Sequence, residues 1–190
     1  MKRIGILGDI GSGKSYVAKN FGYPVFNADD EVSKIYKTNK KVFNKLKRAL
    51  PEYIYSFPVK KSELTKAILI NRTNLKKIIK IIHLEVRKKM NIFIDQNKNK
   101  SFIILDIPLL LENKINNKSD ILVFVMSKKK DILKRLIKRA NYNTALIRQF
   151  RSLQLPLAYK KRKSNFIVEN NFTKKMVKES INKILKIIKK

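Results

Sequence analysis

The stretch Gly8-Asp9-Ile10-Gly11-Ser12-Gly13-Lys14-Ser15 limits what this chain can fold into more than any other. It has the form G-x-x-x-x-G-K-[ST]. An apolar run, Ile4-Gly5-Ile6-Leu7, precedes it, and Tyr16-Val17-Ala18-Lys19-Asn20-Phe21, which can open a helix, follows. A buried strand, a glycine-rich loop and a helix in that order form a phosphate cradle. Glycine lets successive backbone N–H groups converge on an anion, and the helix start adds its dipole and unpaired N–H groups. In this pattern the lysine supplies charge to a nucleotide's β/γ-phosphates, and the hydroxyl that follows it ligates Mg²⁺. Those positions are Lys14 and Ser15 here. A surface turn before a helix is the competing explanation. All five glycines, Gly5, Gly8, Gly11, Gly13 and Gly22, fall in the first 22 residues, and that concentration argues against a mere turn.

At 190 residues the chain has room for one α/β domain with a full core. It has no cysteine, which excludes disulfides and thiolate metal sites and fits a reducing, cytoplasmic setting. Asp9 cuts the first apolar run too short for a signal peptide, and no apolar run approaches the roughly 18 residues of a membrane span. The formal charge of +31 invites a nucleic-acid reading. The lysines are spread along the chain, however, and lysine far outnumbers arginine. That pattern fits solvated faces and suits small polyanionic substrates.

The expected strands are residues 2–7, 23–26, 102–106, 121–126 and 166–168. The second delivers Asn27-Ala28-Asp29-Asp30 to its carboxyl end, where open parallel sheets bind ligands. Two roles are equally open to Asp29 by position: reaching a nucleotide's γ-phosphate region, or capping a helix over Glu31–Tyr36. Residues 40–98 read as helical, with Ser62 and Thr73 as the expected caps of the later helices. The chain's single histidine, His83, lies four residues before Arg87, which puts both on one side of a helix. A structural role is the ordinary one for such a histidine, and ligand binding is the alternative. Phe102-Ile103-Ile104-Leu105-Asp106 ends an apolar run in an acid, the form in which a carboxylate stands beside a metal. Arg135 and Arg139 share a helix stripe, as a phosphate clamp or as part of a solvated basic face. Asn141-Tyr142-Asn143 is expected to break that helix, and two short helices over 144–154 and 156–163 read as a mobile lid. The tail over 174–190 is an amphipathic basic helix whose apolar stripe suits packing against the sheet, with a membrane-surface role as the alternative.

Taken together, these stretches resemble the dephospho-CoA kinase family, whose members carry out the last step of coenzyme A synthesis. The family's loop reads G-G-I-G-S-G-K-S, and this chain has G-D-I-G-S-G-K-S. Its D-A-D is matched by Asn27-Ala28-Asp29, and its H-P-x-[IV]-R in part by His83-Leu84-Glu85-Val86-Arg87. Its P-L-L-[FL]-E is matched in full by Pro108 to Glu112. Its lid arginines correspond to Arg135 and Arg139, and its later glutamine, lysine and asparagine to Gln154, Lys160 and Asn170.

The resemblance implies an α/β fold: a P-loop NTPase-type parallel five-stranded sheet flanked by helices. It implies one kinase domain over 1–190, with a core of 1–38, 99–135 and 164–190. A helical acceptor-binding insertion over 39–98 and a lid over 136–163 complete it. The implied reaction moves the γ-phosphoryl of Mg-ATP to the ribose 3′-hydroxyl of dephospho-CoA. Asp29, Lys14 and Arg135 are the expected catalytic groups. ATP is expected at Gly8, Asp9, Ile10, Gly11, Ser12, Gly13, Lys14, Ser15, Tyr16, Arg139 and Asn170. The acceptor is expected at Asp29, His83, Arg87, Pro108 and Leu109, and Mg²⁺ at Ser15 and Asp106. ATP and dephospho-CoA are the expected partners, without nucleic acid or membrane, the chain acting as a monomer or weak homo-oligomer. Asp9, Asn27, Leu84 and Tyr16 depart from the family pattern, and Leu84 in place of proline suggests that its helix runs on unbroken. A nucleoside or shikimate-type P-loop kinase, and a nucleic-acid-dependent ATPase, are the competing functions.

Overall fold

The structure is a computed structural model that describes residues 1–139 and 142–189. The expected break at Asn141 and the last residue of the tail, Lys190, lie outside the described residues. The chain divides into two compact units, one of 1–27, 97–142 and 153–190, the other of 28–96 and 143–152.

The first unit is built on a five-stranded, wholly parallel sheet. Its strands are β1 (Lys2–Gly8), β2 (Val25–Asn27), β3 (Phe102–Asp106), β4 (Ile121–Met126) and β5 (Phe166–Glu169), in the order β2-β3-β1-β4-β5. The central strands are buried on both faces, which is why they read as unbroken apolar runs rather than alternating ones. On one face Ile4, Ile6, Ile104, Val123, Val125 and Val168 pack against α1 (Lys14–Asn20) and α9 (Lys174–Ile188). The tail helix commits Val177, Ile181, Ile184 and Ile188 to that core, so its apolar stripe is a packing face. Each such side chain contributes about 1.5–3 kcal/mol on full burial. On the other face Gly5 leaves room for Leu110 and Leu122; a Cβ there would stand 2.5 Å from Leu110 Cδ2. The helix α8 (Leu157–Lys163) packs on β1 and β4, and α6 (Lys129–Ile137) sits against the loop after β1.

The register brings the carboxyl ends of the strands together. Gly8 pairs with Val125, Asn27 with Asp106, and Met126 with Glu169. The second strand starts two residues later than the sequence suggests. Pro24 has no N–H to give a ladder, and its carbonyl alone takes part, accepting from Ile104 N at 2.9 Å.

The second unit is helical: α2 (Ala28–Thr38), α3 (Lys40–Ala49), α4 (Lys61–Ile70), α5 (Arg72–Gln96) and α7 (Thr144–Arg151). The long α5 packs against α2, α3 and α4, burying Leu75, Ile78, Ile82, Val86 and Met90 at helical spacing. It passes through Leu84 without a break. Two expected caps are replaced. Ser62 falls inside α4, whose N-cap is Lys60. Thr73 falls inside α5, and the carbonyl of the Asn71 side chain accepts from Asn74 N at 2.8 Å instead. An amide satisfies a helix-start N–H at least as well as a hydroxyl, so the earlier residue wins. Glu63, 1% exposed, anchors the preceding loop by accepting from Tyr55 N, Ser56 N and the Ser56 hydroxyl.

Candidate active site

The loop from Gly8 to Ser15 leaves β1 and enters α1 directly, since α1 begins at Lys14. Gly13 is the residue before the helix and adopts φ +89°, ψ 25°. An L side chain is strained in that region, and a Cβ at Gly13 would also overlap the Asn170 amide nitrogen. Gly11, at φ +85°, faces α6, where a Cβ would stand 3.0 Å from Leu136 and 3.1 Å from Ile132. The loop is therefore clasped from two sides, by α6 and by the segment after β5.

Two donors from outside the loop hold one of its carbonyls. The Ser12 carbonyl accepts from Asn170 Nδ2 at 2.8 Å and from Ser127 Oγ at 3.0 Å. Asn170, 2% exposed, is itself set by its backbone N–H donating to Met126 O at 2.8 Å. With no side chain at the N-cap, no capping oxygen accepts from the first N–H groups of α1. Lys14 reaches back over the loop and its Nζ donates to Asp9 O at 2.8 Å and Gly8 O at 3.3 Å. Asp9, which stands where the resembled family has glycine, turns its Oδ1 onto its own neighbour and accepts from Ile10 N at 2.7 Å. Ser15 and Tyr16 are exposed at the helix start.

Asp106 lies at the end of β3, 3% exposed, where Asn27 Nδ2 donates to its Oδ2 at 2.8 Å. Pro108 and Leu109 follow, both half-buried, and the Leu109 carbonyl accepts from Asn113 N and Nδ2. Arg135 is exposed on α6, its guanidinium over the Phe172 ring at 4.3 Å. Arg139 is also exposed, one residue beyond the Lys138 cap of that helix. Among the described residues there is no group of three or more His, Asp and Glu side chains that could hold a metal.

The first unit thus brings together the loop, Asn27, Asp106, Arg135 and Asn170. Asp29, His83 and Arg87 belong to the second. Asp29 lies with Asp30 and Glu31 in the first turn of α2 and is exposed. Because α2 starts at Ala28, three residues earlier than expected, neither aspartate is the residue before the helix. Acids in a first turn are favoured by the helix dipole. His83 is half-buried on α5, and desolvation first, then the positive charge of Arg87, lowers its pKa below the ordinary 6.5.

Two features escape sequence reasoning. Glu112 and Lys160 form a buried ion pair, with Nζ to Oε1 at 2.6 Å. Glu112 belongs to the P-L-L-L-E run and Lys160 matches the resembled family's lysine, but nothing in the spacing of the two pairs them. Phe172 takes a left-handed φ of 66°, which nothing in its sequence context announces.

Comparison with known proteins agrees with this fold. The family model for dephospho-CoA kinase matches residues 2–175. A dephospho-CoA kinase from Wolbachia sp. subsp. Brugia malayi (strain TRS) is 31% identical over 187 residues, covering 96% of this chain and 95% of the relative. Among solved structures, TT1252 from Thermus thermophilus superposes with a TM-score of 0.77 at 23% identity, over 98% of this chain and 97% of the other. A dephospho-CoA kinase from Campylobacter jejuni superposes with a TM-score of 0.61 at 18% identity, with the same coverage. The two structures speak for the fold, and the family model and the Wolbachia relative for the lineage: this chain belongs to the dephospho-CoA kinase family.

Proposed function

We propose that the chain transfers the γ-phosphoryl group of ATP to the 3′-hydroxyl of dephospho-CoA, giving coenzyme A and ADP. The observation that carries this is the match of the family model to residues 2–175, which takes in the whole phosphate loop. Phosphoryl transfer asks a protein mostly for positioning and charge neutralisation. In this reading the N–H groups between Gly8 and Tyr16 and the Lys14 ammonium hold the β- and γ-phosphates. Asp29 accepts the proton of the attacking 3′-hydroxyl. The new P–O bond forms as the bond from the γ-phosphorus to the β–γ bridging oxygen breaks, and ADP leaves with that oxygen. Arg135 and Arg139 offset charge on the transferred group, and Asn170 holds the loop beneath the nucleotide. His83, Arg87, Pro108 and Leu109 hold the acceptor. The work divides between the core, the 39–98 insertion and the 136–163 lid.

The donor set suits Mg²⁺ arriving with ATP: one exposed hydroxyl, Ser15, and one carboxylate, Asp106, which has one oxygen engaged by Asn27. Mg²⁺ commonly takes one or two carboxylates, keeps several waters and shares substrate phosphates. Its charge would neutralise the phosphate oxygens during transfer. A cytoplasmic location and a monomeric or weakly associated state complete the proposal; the absence of cysteine from the sequence is in keeping with a reducing compartment.

The test is product analysis of the purified chain with Mg-ATP and dephospho-CoA, against a panel of nucleosides and shikimate, and for ATP hydrolysis with added RNA. Formation of coenzyme A with dephospho-CoA alone is the expected result. Preference for another acceptor, or hydrolysis driven by RNA, would overturn it. Within that assay Asp29→Asn should abolish most turnover, and a variant with near-unaltered turnover would remove Asp29 as the base.

A further inference from the structure

Phe172 occupies a backbone conformation that phenylalanine avoids, φ 66°, at the turn between β5 and α9. Such strain persists only where the surroundings over-determine it, and it gathers at functional sites. Here one buried amide does the determining. Asn170 Oδ1 accepts from Phe172 N at 2.9 Å while its Nδ2 holds the Ser12 carbonyl at 2.8 Å. The turn carrying the ring and the phosphate loop are thereby tied to the same side chain. The ring edge reaches the loop directly: Phe172 Cε1 lies 3.4 Å from the position a Cβ on Gly13 would take. Over the ring stands Arg135, its guanidinium carbon 4.3 Å from the centroid. Arg135 comes from α6, the helix whose Ile132 and Leu136 brace Gly11 on the other side of the loop.

An exposed arginine ordinarily samples many rotamers, and ordering it on demand weakens whatever it is meant to hold. Stacking on an aromatic face restricts it. We propose that Phe172 is a positioning residue for Arg135, holding the guanidinium beside the Gly13 end of the phosphate loop before a nucleotide arrives. This rests on the assignment of Arg135 to the phosphates made under Proposed function. It goes beyond that assignment by naming the residue that orders the arginine. The cost is the left-handed turn, and the return is an arginine pre-oriented by a surface built onto the loop it serves.

The test is a coupled set of variants: Phe172→Leu, Phe172→Tyr, Phe172→Gly, Arg135→Ala and the double variant Phe172→Leu/Arg135→Ala. For each, kcat and KM for ATP are measured with dephospho-CoA, and affinity for a fluorescent ATP analogue is measured without acceptor. Phe172→Leu is expected to lower kcat/KM for ATP roughly three- to tenfold, the scale of an exposed to partly desolvated cation–π contact. Phe172→Tyr keeps the flat face and should restore it. In the Arg135→Ala background the Leu change should cost nothing further. Glycine adopts φ 66° without strain, so Phe172→Gly should lose activity as Leu does while keeping its thermal midpoint. Equal losses in both Arg135 backgrounds, or a Tyr variant as poor as Leu, would overturn the proposal. If the unaltered chain fails to phosphorylate dephospho-CoA, the kinase reading falls by itself. Analogue affinity then still reports whether Phe172 and Arg135 act as one.

Discussion

Asn27 and Asp106 are register partners at the carboxyl ends of β2 and β3, and the Asn27 amide donates to the buried Asp106 carboxylate over 2.8 Å. A neutral donor suits a buried carboxylate. It satisfies one oxygen and adds no repulsion.

Restoring the acid that the family's D-A-D pattern has at this position should therefore destabilise the chain. Asn27→Asp puts a second carboxylate against the first, and the pair keeps a proton to higher pH than either acid alone. A carboxyl pKa raised in the folded state leaves stability intact below the ordinary value of about 3.9 and removes it as pH rises through the folded value. Thermal unfolding of N27D should show a deficit of about 1–3 kcal/mol at pH 8 that closes in acid. A gap that stays constant across pH would mean that the amide matters for packing and not for charge.

Lys14 donates to two carbonyl oxygens of its own loop, Gly8 O and Asp9 O. Two such bonds are worth about 0.5–1.5 kcal/mol each to folding. If Lys14 neutralises the transferring phosphates as proposed, its loss costs more, about 10²–10³ in turnover. Lys14→Ala should therefore remain folded by circular dichroism and melt within a few degrees of the unaltered chain while its kcat collapses. Unchanged turnover would discredit the phosphate cradle.

What was legible in the sequence was what depends on local pattern. The phosphate loop, the buried runs of β1, β3 and β4, and the 3.6-residue spacing of α5 each carry their signal within a few neighbouring residues. Asn71 displaced Thr73 as a cap because two capping residues lay within reach of one helix start and spacing alone does not rank them. Contacts between distant segments were not legible. Ser12 is separated from Asn170 by 158 positions, and a single asparagine after a strand gives no hint of which carbonyl it will meet. Lys160 matches a lysine of the family pattern, yet nothing local marks it as the one buried residue among four consecutive basic ones.

The Glu112–Lys160 pair should be among the most sensitive points of the first unit. Lys160 is 1% exposed and its partner's side chain 7%. Glu112 Oε1 also accepts from Leu155 N at 3.0 Å, while Oε2 is buried without a hydrogen-bond partner. Removing one member leaves the other charge buried, which costs about 3–5 kcal/mol, whereas replacing both by apolar groups of similar size is often near neutral. In urea unfolding, Glu112→Ala and Lys160→Ala should each lose stability on that scale. Glu112→Leu/Lys160→Met should recover most of it, short of the lost acceptor for Leu155 N. If the double variant is no better than the singles, the pair is held by packing and hydrogen bonding rather than by mutual neutralisation.

His83 offers a direct reading of the second unit because the chain contains one histidine, so a single imidazole titration belongs to it. Burial first, and then the Arg87 charge, hold its pKa below 6.5. The imidazole is therefore neutral at pH 7, able to accept a hydrogen bond as well as donate one. Between the folded value and 6.5 the unfolded chain binds a proton that the folded chain does not. Stability contributed by neutral His83 is thus fully present above the unfolded value and falls as pH drops through that window, levelling off below the folded pKa. His83→Gln should flatten this part of the stability profile. Arg87→Gln should raise the imidazole pKa without returning it to 6.5, because desolvation, the larger cause, remains. A resonance titrating at or above 6.5 in the unaltered chain would show that neither the burial nor the neighbouring guanidinium acts on this ring.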